Sequence, residues 1–165
     1  MIASGDVTNH TVGIAEMKVT NERGATLITY SLGSCIGLSL YDPVQGVVGL
    51  VHCMLPLSNM DPENAKSRPC MFTDTGVTAV LSEMFQLGAQ RRNIIAKVAG
   101  AAMILDEKKL FRIGERNHTV LRKVLWKNNI LIAAEDVGGT VARTLRLHLD
   151  TGMTVLRIRG REVEL

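Results

Sequence analysis

The sequence predicts an α+β fold, a layered sandwich of mixed or largely antiparallel β-sheet carrying two main helices. Three observations lead there. Short apolar runs alternate with turn residues along most of the chain, and several pair naturally as hairpins. Only residues 73–87 and 115–127 show the three- and four-residue apolar spacing of a helix. The strict strand–helix–strand alternation of a doubly wound fold is missing. At 165 residues, the length suits one domain spanning residues 1–165, with a sizeable core.

Taken in order, residues 1–11 are polar and are expected to fray. Residues 12–20 and 25–31 have strand character, separated by the turn Asn21-Glu22-Arg23-Gly24. The apolar runs 36–41 and 47–55 then flank Asp42-Pro43-Val44-Gln45-Gly46. Pro fixes φ and Gly accepts a positive φ, so these runs read as a β-hairpin. Pairing Tyr41 with Gly46 sets Cys35 opposite His52, and a register one residue longer sets Ile36 opposite His52. Residues 56–69, rich in Ser, Asn, Asp and Pro, form the longest expected loop. Following His52 so closely, that loop is expected to wall or cover a site there.

The helix at 73–87 carries Val77, Val80, Leu81, Met84 and Leu87 on one side. Thr73 or Asp74 can cap its start, and Gly88 is a natural stop. Residues 93–98 read as a buried strand ending in Gly100-Ala101-Ala102. The second helix presents Val120, Leu121, Val124 and Leu125 inward. Residues 130–134 form a strand, Gly138-Gly139 a turn or bulge, and 141–149 with 153–159 a last hairpin around Asp150-Thr151-Gly152.

Composition bounds the function. Apolar residues make up 46% and charged residues 21%, a globular balance, while 4% aromatics imply an aliphatic core. Residues 1–20 lack a basic start followed by an apolar run, so no secretory signal is read. No stretch reaches the roughly 18 apolar residues of a membrane span. Three cysteines, an odd number without an export signal, point to reduced thiols in the cytoplasm. The net charge of +3 is mild. Arg143, Arg146, Arg157, Arg159 and Arg161 alternate with apolar residues as the solvated face of strands would, without the aromatics a nucleic-acid surface uses.

Cys35 and His52 are the candidate chemistry. A thiolate is the reactive form of cysteine, and an adjacent base produces it. Gly33 and Ser34 before Cys35, and Gly37 after it, allow close approach of a substrate backbone and can expose N–H groups for an oxyanion. Cys35 is equally compatible with a buried structural cysteine, which behaves as a small hydrophobe. Cys53 adjoins His52 but should point to the opposite face of its strand. Cys70 has no identifiable base. His10, His118 and His148 are scattered singles, and no Cys/His spacing matches a metal site. Thr29 offers a hydroxyl that can accept an imidazole N–H and fix its tautomer, and it is also simply a good strand former.

Leu32-Gly33-Ser34-Cys35, Leu40-Tyr41-Asp42-Pro43 and His52-x-Met54-Leu55-Pro56 resemble the motifs of CheD, the chemoreceptor glutamine deamidase family. The likeness extends over roughly residues 12–159. It includes Ile113-Gly114-Glu115-Arg116-Asn117, and Ala134-Glu135-Asp136-x-Gly138-Gly139 with Arg143 beyond; Thr151-Gly152 is weaker. The resemblance implies a fold similar to bacterial toxin deamidases. It also implies a catalytic set of Cys35, His52 and Thr29, with oxyanion or substrate-binding roles near Ser34, Gly33 and Ser31. The implied reaction is hydrolysis of receptor glutamine side chains to glutamate and ammonia, in some members with removal of receptor methyl esters. It requires no metal or organic cofactor. The implied partners are the cytoplasmic helices of methyl-accepting chemotaxis receptors, at arrays on the inner face of the membrane, and a CheC-type phosphatase, without nucleic acid or membrane insertion. A non-enzymatic adaptor binding the same partners is the alternative reading. Ser31, and Gly100-Ala101-Ala102 in place of Gly-Gly-Ala, depart from the family pattern without touching the implied triad.

Overall fold

A computed structural model describes residues 7–104 and 111–165. Two five-stranded sheets stack face to face, and the two long helices pack on the outer side of one of them. The strands are β1 (Thr8–Thr11), β2 (Glu16–Thr20), β3 (Ala25–Leu32), β4 (Ile36–Asp42), β5 (Val47–Cys53), β6 (Ile95–Gly100), β7 (Ile132–Val137), β8 (Arg143–His148), β9 (Thr154–Ile158) and β10 (Arg161–Glu164). The helices are α1 (Pro62–Ser67), α2 (Thr73–Gln86) and α3 (Ile113–Lys127). The first sheet has the order β1-β3-β8-β9-β10 and the second β2-β5-β4-β6-β7. Each contains one parallel pair, β1–β3 and β6–β7, in an otherwise antiparallel ladder. The α+β sandwich predicted from the sequence is therefore the architecture observed.

Strand alternation splits the core into two layers. Even-numbered residues of β5, Val48 and Leu50, join Leu27, Leu32, Leu145 and Leu147 between the sheets. Odd-numbered Val47, Val51 and Cys53 join Val77, Val80, Leu81 and Leu121 beneath the helices. The core is aliphatic as expected, with Phe72 the largest fully buried side chain.

Several boundaries differ from the sequence reading. Residues 1–6 lie outside the described residues, but Thr8–Thr11 does not fray; it pairs in parallel with Ala25–Ile28. The strand expected over 12–20 starts only at Glu16, and residues 12–15 link β1 to β2 across different sheets. β7 starts two residues later than expected, and β10 was not foreseen. Neither Thr73 nor Asp74 caps α2, because tertiary partners claim both. The Thr73 hydroxyl donates to the Leu55 carbonyl at 3.1 Å, and the Asp74 carboxylate accepts from the Ser58 N–H and hydroxyl. Arg143 is buried rather than solvated. Its Nε donates to Asp136 at 2.7 Å and its guanidinium also donates to the Gly100 carbonyl.

The β4–β5 hairpin register is neither of the two expected. Asp42 pairs with Val47, which places Gly37 opposite His52 and Ile36 opposite Cys53. The Asp42 carboxylate, fully buried, sets this end: its Oδ1 accepts the N–H groups of Val44 and Gln45 at 2.9 Å each. The Gly46 N–H closes the loop onto the Asp42 carbonyl at φ +67°, a conformation that favours glycine. Relative to the first expected register the shift is two residues, and an even shift keeps every side chain on its face.

β3 carries a bulge that matters to the site. Thr29 pairs with Leu145 and Leu32 with Arg143, so β3 has one extra residue between them. Thr29 and Leu32 both point inward, while Tyr30 and Ser31 are exposed. Ser31 adopts φ +58°, which costs a non-glycine residue of order 1–3 kcal/mol. We expect Ser31→Val, β-branched at this φ, to be less stable than Ser31→Gly by about 1–2 kcal/mol. Urea unfolding of the two variants measures this, and equal stabilities would remove the bulge as a strained point.

Candidate active site

The bulge turns β3 toward the second sheet, and Gly33, Ser34 and Cys35 form the bend that enters β4. Cys35 therefore precedes the ladder rather than pairing within it. It stands two residues before Gly37, the residue opposite His52. On one sheet face such diagonal neighbours have Cα atoms about 7–8 Å apart. Gly37 carries no side chain to stand between them. The Cys35 thiol is half-buried and packs against the inter-sheet core. The two sheets thus share a face containing Cys35 and His52, but no donor lies within hydrogen-bonding distance of His52 Nε2.

Thr29 and His52 are brought together directly. The His52 side chain projects from β5 into the inter-sheet layer, where Thr29 of β3 projects toward it. His52 Nδ1 and Thr29 Oγ1 are 2.7 Å apart, and both residues are fully buried. The same hydroxyl lies 2.7 Å from the Val12 carbonyl. A carbonyl can only accept, so the single hydroxyl proton goes to Val12 and the hydroxyl accepts from His52 Nδ1–H. This fixes the tautomer: Nδ1 carries the proton, and Nε2 keeps its lone pair, buried and without a partner. The His52 carbonyl is held in turn by the Ala15 N–H at 2.9 Å.

Burial sets the protonation states. It lowers the His52 imidazole to about 4 and raises the Cys35 thiol, with the Cys35 N–H partly offsetting that rise. The resting pair at neutral pH is a thiol beside a neutral imidazole. Cys53 points under the helices, where a Cβ on Gly76 would come within 2.6 Å of its sulfur; burial raises its thiol well above the ordinary value. Cys70 is also buried and raised to about 11.

Cys35 opens onto a cleft of about 720 Å³. One wall is Ser31, Gly33, Ser34 and Cys35; the others are residues 101–104, the start of α3 with His118, and the turn 137–139. Residues 56–69 do not line it, contrary to expectation. They form α1 and two short 3₁₀ turns and lead into α2, tied by the bonds from Thr73 N–H to the Leu55 carbonyl and from Met54 N–H to the Met71 carbonyl. His118 sits on the cleft wall bonded to Glu135 at 2.8 Å, and His148 bonds the Thr26 hydroxyl at 3.0 Å on the open sheet face. Among the described residues, no three His, Cys, Asp or Glu side chains converge as metal ligands. No helix among them is long and apolar enough to cross a membrane.

Asn117, named in the sequence only as the end of the Ile113–Asn117 motif, is the residue to which the sequence reading gave no role. It is fully buried, and its Nδ2 donates to the carbonyls of Ser34 at 3.0 Å and Met54 at 2.9 Å. A signal existed: Asn117, Leu121 and Leu125 are spaced at four residues along the buried side of α3, so a polar residue occupied a core position.

The bend thus carries a half-buried thiol among small residues, on the same sheet face as an imidazole of fixed tautomer. Residues 54–158 match the CheD family, described as CheD chemotactic sensory transduction. A protein of Syntrophus aciditrophicus called a probable chemoreceptor glutamine deamidase CheD 1 is 46% identical, over 94% of this chain and 96% of its own. A probable chemoreceptor glutamine deamidase CheD of Solibacter usitatus is 46% identical over 93% and 91%. The crystal structure of the Bacillus licheniformis hypothetical protein YfiH aligns with a TM-score of 0.44 at 15% identity, covering 75% of this chain and 49% of that one. The chain belongs to the CheD family.

The buried imidazole predicts a pH signature. An unfolded imidazole binds its proton near 6.5, whereas folded His52 stays neutral down to about 4. Between these values the unfolded state binds more protons. The stability contribution is therefore complete above about 6.5 and is lost as pH falls toward about 4. Urea unfolding across this range should show the slope, and His52→Gln should remove its share. An unchanged slope in the variant would mean that His52 titrates normally.

Proposed function

We propose that this chain, acting as a single domain, hydrolyses glutamine side chains of chemoreceptors to glutamate and ammonia, with Cys35 as nucleophile, His52 as base and Thr29 as the group that orients His52. The observation that carries this reading is the buried Val12–Thr29–His52 chain of hydrogen bonds, which leaves an imidazole lone pair on the Cys35 face. A merely structural histidine gains nothing from an unpartnered buried Nε2. The names of the relatives supply the substrate class.

A carboxamide is a poor electrophile, so covalent catalysis splits the reaction into two steps. His52 Nε2 takes the Cys35 proton as sulfur adds to the side-chain carbon of glutamine. The tetrahedral oxyanion collapses with cleavage of the C–N bond, and the proton on Nε2 passes to the departing nitrogen to give ammonia. His52 then takes a proton from water as it attacks the thioester. The C–S bond breaks, glutamate leaves and Cys35 recovers its proton. The N–H groups of Ser34 and Cys35, which meet no acceptor among the described residues other than the Cys35 sulfur, suit the oxyanion. A rotation about the Cys35 side chain brings the sulfur toward Nε2; catalytic hydrogen bonds commonly tighten only with substrate bound. The cleft is far larger than one carboxamide, which suits a receptor helix. The same chemistry on a methyl ester would release methanol. On this reading the protein works in the cytoplasm at receptor arrays, and a CheC-type phosphatase is a candidate regulator.

Cys35→Ala should abolish deamidation. Thr29→Val should lower the rate about tenfold or more, since it removes the acceptor that fixes the imidazole, while Thr29→Ser should retain much of it. Mass spectrometry of receptor cytoplasmic fragments, following the glutamine-to-glutamate mass change, gives initial rates for each, with circular dichroism to confirm folding. Full activity in Cys35→Ala would sink the mechanism, and equal rates for the two Thr29 variants would reduce the site to a dyad.

A further inference from the structure

The backbone of the Cys35 bend is tied in a way the triad does not explain. Its three consecutive carbonyls are all held. The Gly33 carbonyl accepts from Ala102 N–H at 2.8 Å, the Cys35 carbonyl from Ala101 N–H at 2.8 Å, and the Ser34 carbonyl from Asn117 Nδ2 at 3.0 Å. Two of these ties come from the backbone after β6. The middle one depends on a single side chain. Among the described residues, no acceptor takes the N–H of Ser34 or of Cys35, apart from the Cys35 sulfur itself.

The Ser34–Cys35 peptide is planar and trans, so its C=O and N–H point in opposite directions. Drawing the Ser34 carbonyl onto Asn117 aims the Cys35 N–H away from the Asn117 carboxamide, to the side where the sulfur lies. Asn117 is itself fixed. Its Oδ1 lies 3.1 Å from the Thr73 hydroxyl, whose single proton it shares with the Leu55 carbonyl, and its second Nδ2 hydrogen goes to the Met54 carbonyl at 2.9 Å, two residues beyond His52. One buried carboxamide therefore joins the start of α2, the end of the His52 strand and the nucleophile bend, with all its hydrogen-bonding capacity directed. A clamp needed only for stability would be satisfied by any carbonyl at the bend; this one holds the peptide that carries the nucleophile's own N–H.

We propose that Asn117 is a positioning residue of the reaction: through the Ser34 carbonyl it aims the Cys35 N–H as the oxyanion donor. This rests on the thiol mechanism above. An oxyanion donor contributes only when charge develops on oxygen, so Asn117 should affect addition to a carbonyl far more than simple alkylation of the thiol.

Two probes separate these. Butanal adds Cys35 sulfur to its carbonyl carbon, the thiol proton passes to His52, and the new oxygen carries the charge. Iodoacetamide alkylates sulfur with loss of iodide and develops no oxyanion. Asn117→Asp and Asn117→Ala, which lack both N–H donors, should weaken reversible butanal binding by about 10², while the iodoacetamide rate at Cys35 changes by less than about threefold. Equal butanal affinity in a folded variant, or parallel loss with both probes, would overturn the proposal; parallel loss would show a bend that has simply collapsed. If neither variant folds, the unaltered protein decides. The Cys35 amide proton should shift downfield on butanal binding with the Asn117 side-chain amide protons unmoved, and an unmoved Cys35 amide overturns the assignment. Failure of the unaltered protein to form any butanal adduct, while iodoacetamide still labels Cys35, would sink the thiol mechanism as well, which distinguishes the two failures.

Discussion

The hydrogen bond between Thr29 and His52 joins the two sheets from within, as the Ser39–Thr154 hydroxyl pair does at 3.0 Å elsewhere in the layer, and it alone carries an imidazole. Everything around it is aliphatic, and Leu27, Leu32, Val48, Leu50 and Leu145 exclude water from the layer. A buried imidazole in such a place is acceptable only if its N–H is satisfied. Thr29 does this, and its own proton is taken by Val12, in the segment that crosses from β1 to β2. The positions of the first sheet, the crossing segment and β5 are therefore coupled through one hydroxyl. Sliding the sheets would strand two buried polar groups, at a cost of about 1–3 kcal/mol each.

The second constraint is the extra residue in β3. Without it, the alternation would continue past Thr29 and carry residue 31 inward. With it, Tyr30 and Ser31 both face outward, Leu32 turns in, and the chain is delivered to the second sheet at Gly33. The strain at Ser31 and the ties on the Gly33, Ser34 and Cys35 carbonyls belong to one device, a rigid bend that presents a thiol at a cleft. Arg143 supports it from behind, holding the Gly100 carbonyl and Asp136 at the end of β6 and β7. Rigid support of this kind lets a site hold its geometry.

Much of this was legible in the chain. The alternating runs, the turn residues and the two helical spacings gave the α+β sandwich and most element positions. Cys35 and His52 stood out because a thiol among glycines and a histidine in an apolar strand are chemically odd choices. The opposite facing of Cys53 followed from strand periodicity alone. Thr29 was read as a hydroxyl able to fix the imidazole tautomer, but threonine is ordinary in a strand, and only the family resemblance put it in the catalytic set. Asn117 was quoted in a motif but given no role, although its spacing with Leu121 and Leu125 placed it on the inner side of α3.

What the chain determined by itself is local: periodicity, turn chemistry, and which residue types are available for chemistry. What only the tertiary structure decided is who meets whom. The hairpin register depended on a buried Asp42 carboxylate that also accepts from Gln90 N–H, far away in sequence. The walls of the cleft came from residues 101–104 and α3 rather than from the loop that follows His52, because backbone bonds from Leu55 and Met54 pull that loop toward α2. The tautomer of His52 depended on a threonine in the other sheet and a carbonyl in a third segment. Such contacts close loops of many residues, so neither propensity nor spacing encodes them; they form only when the two sheets stack and the buried polar groups must find one another.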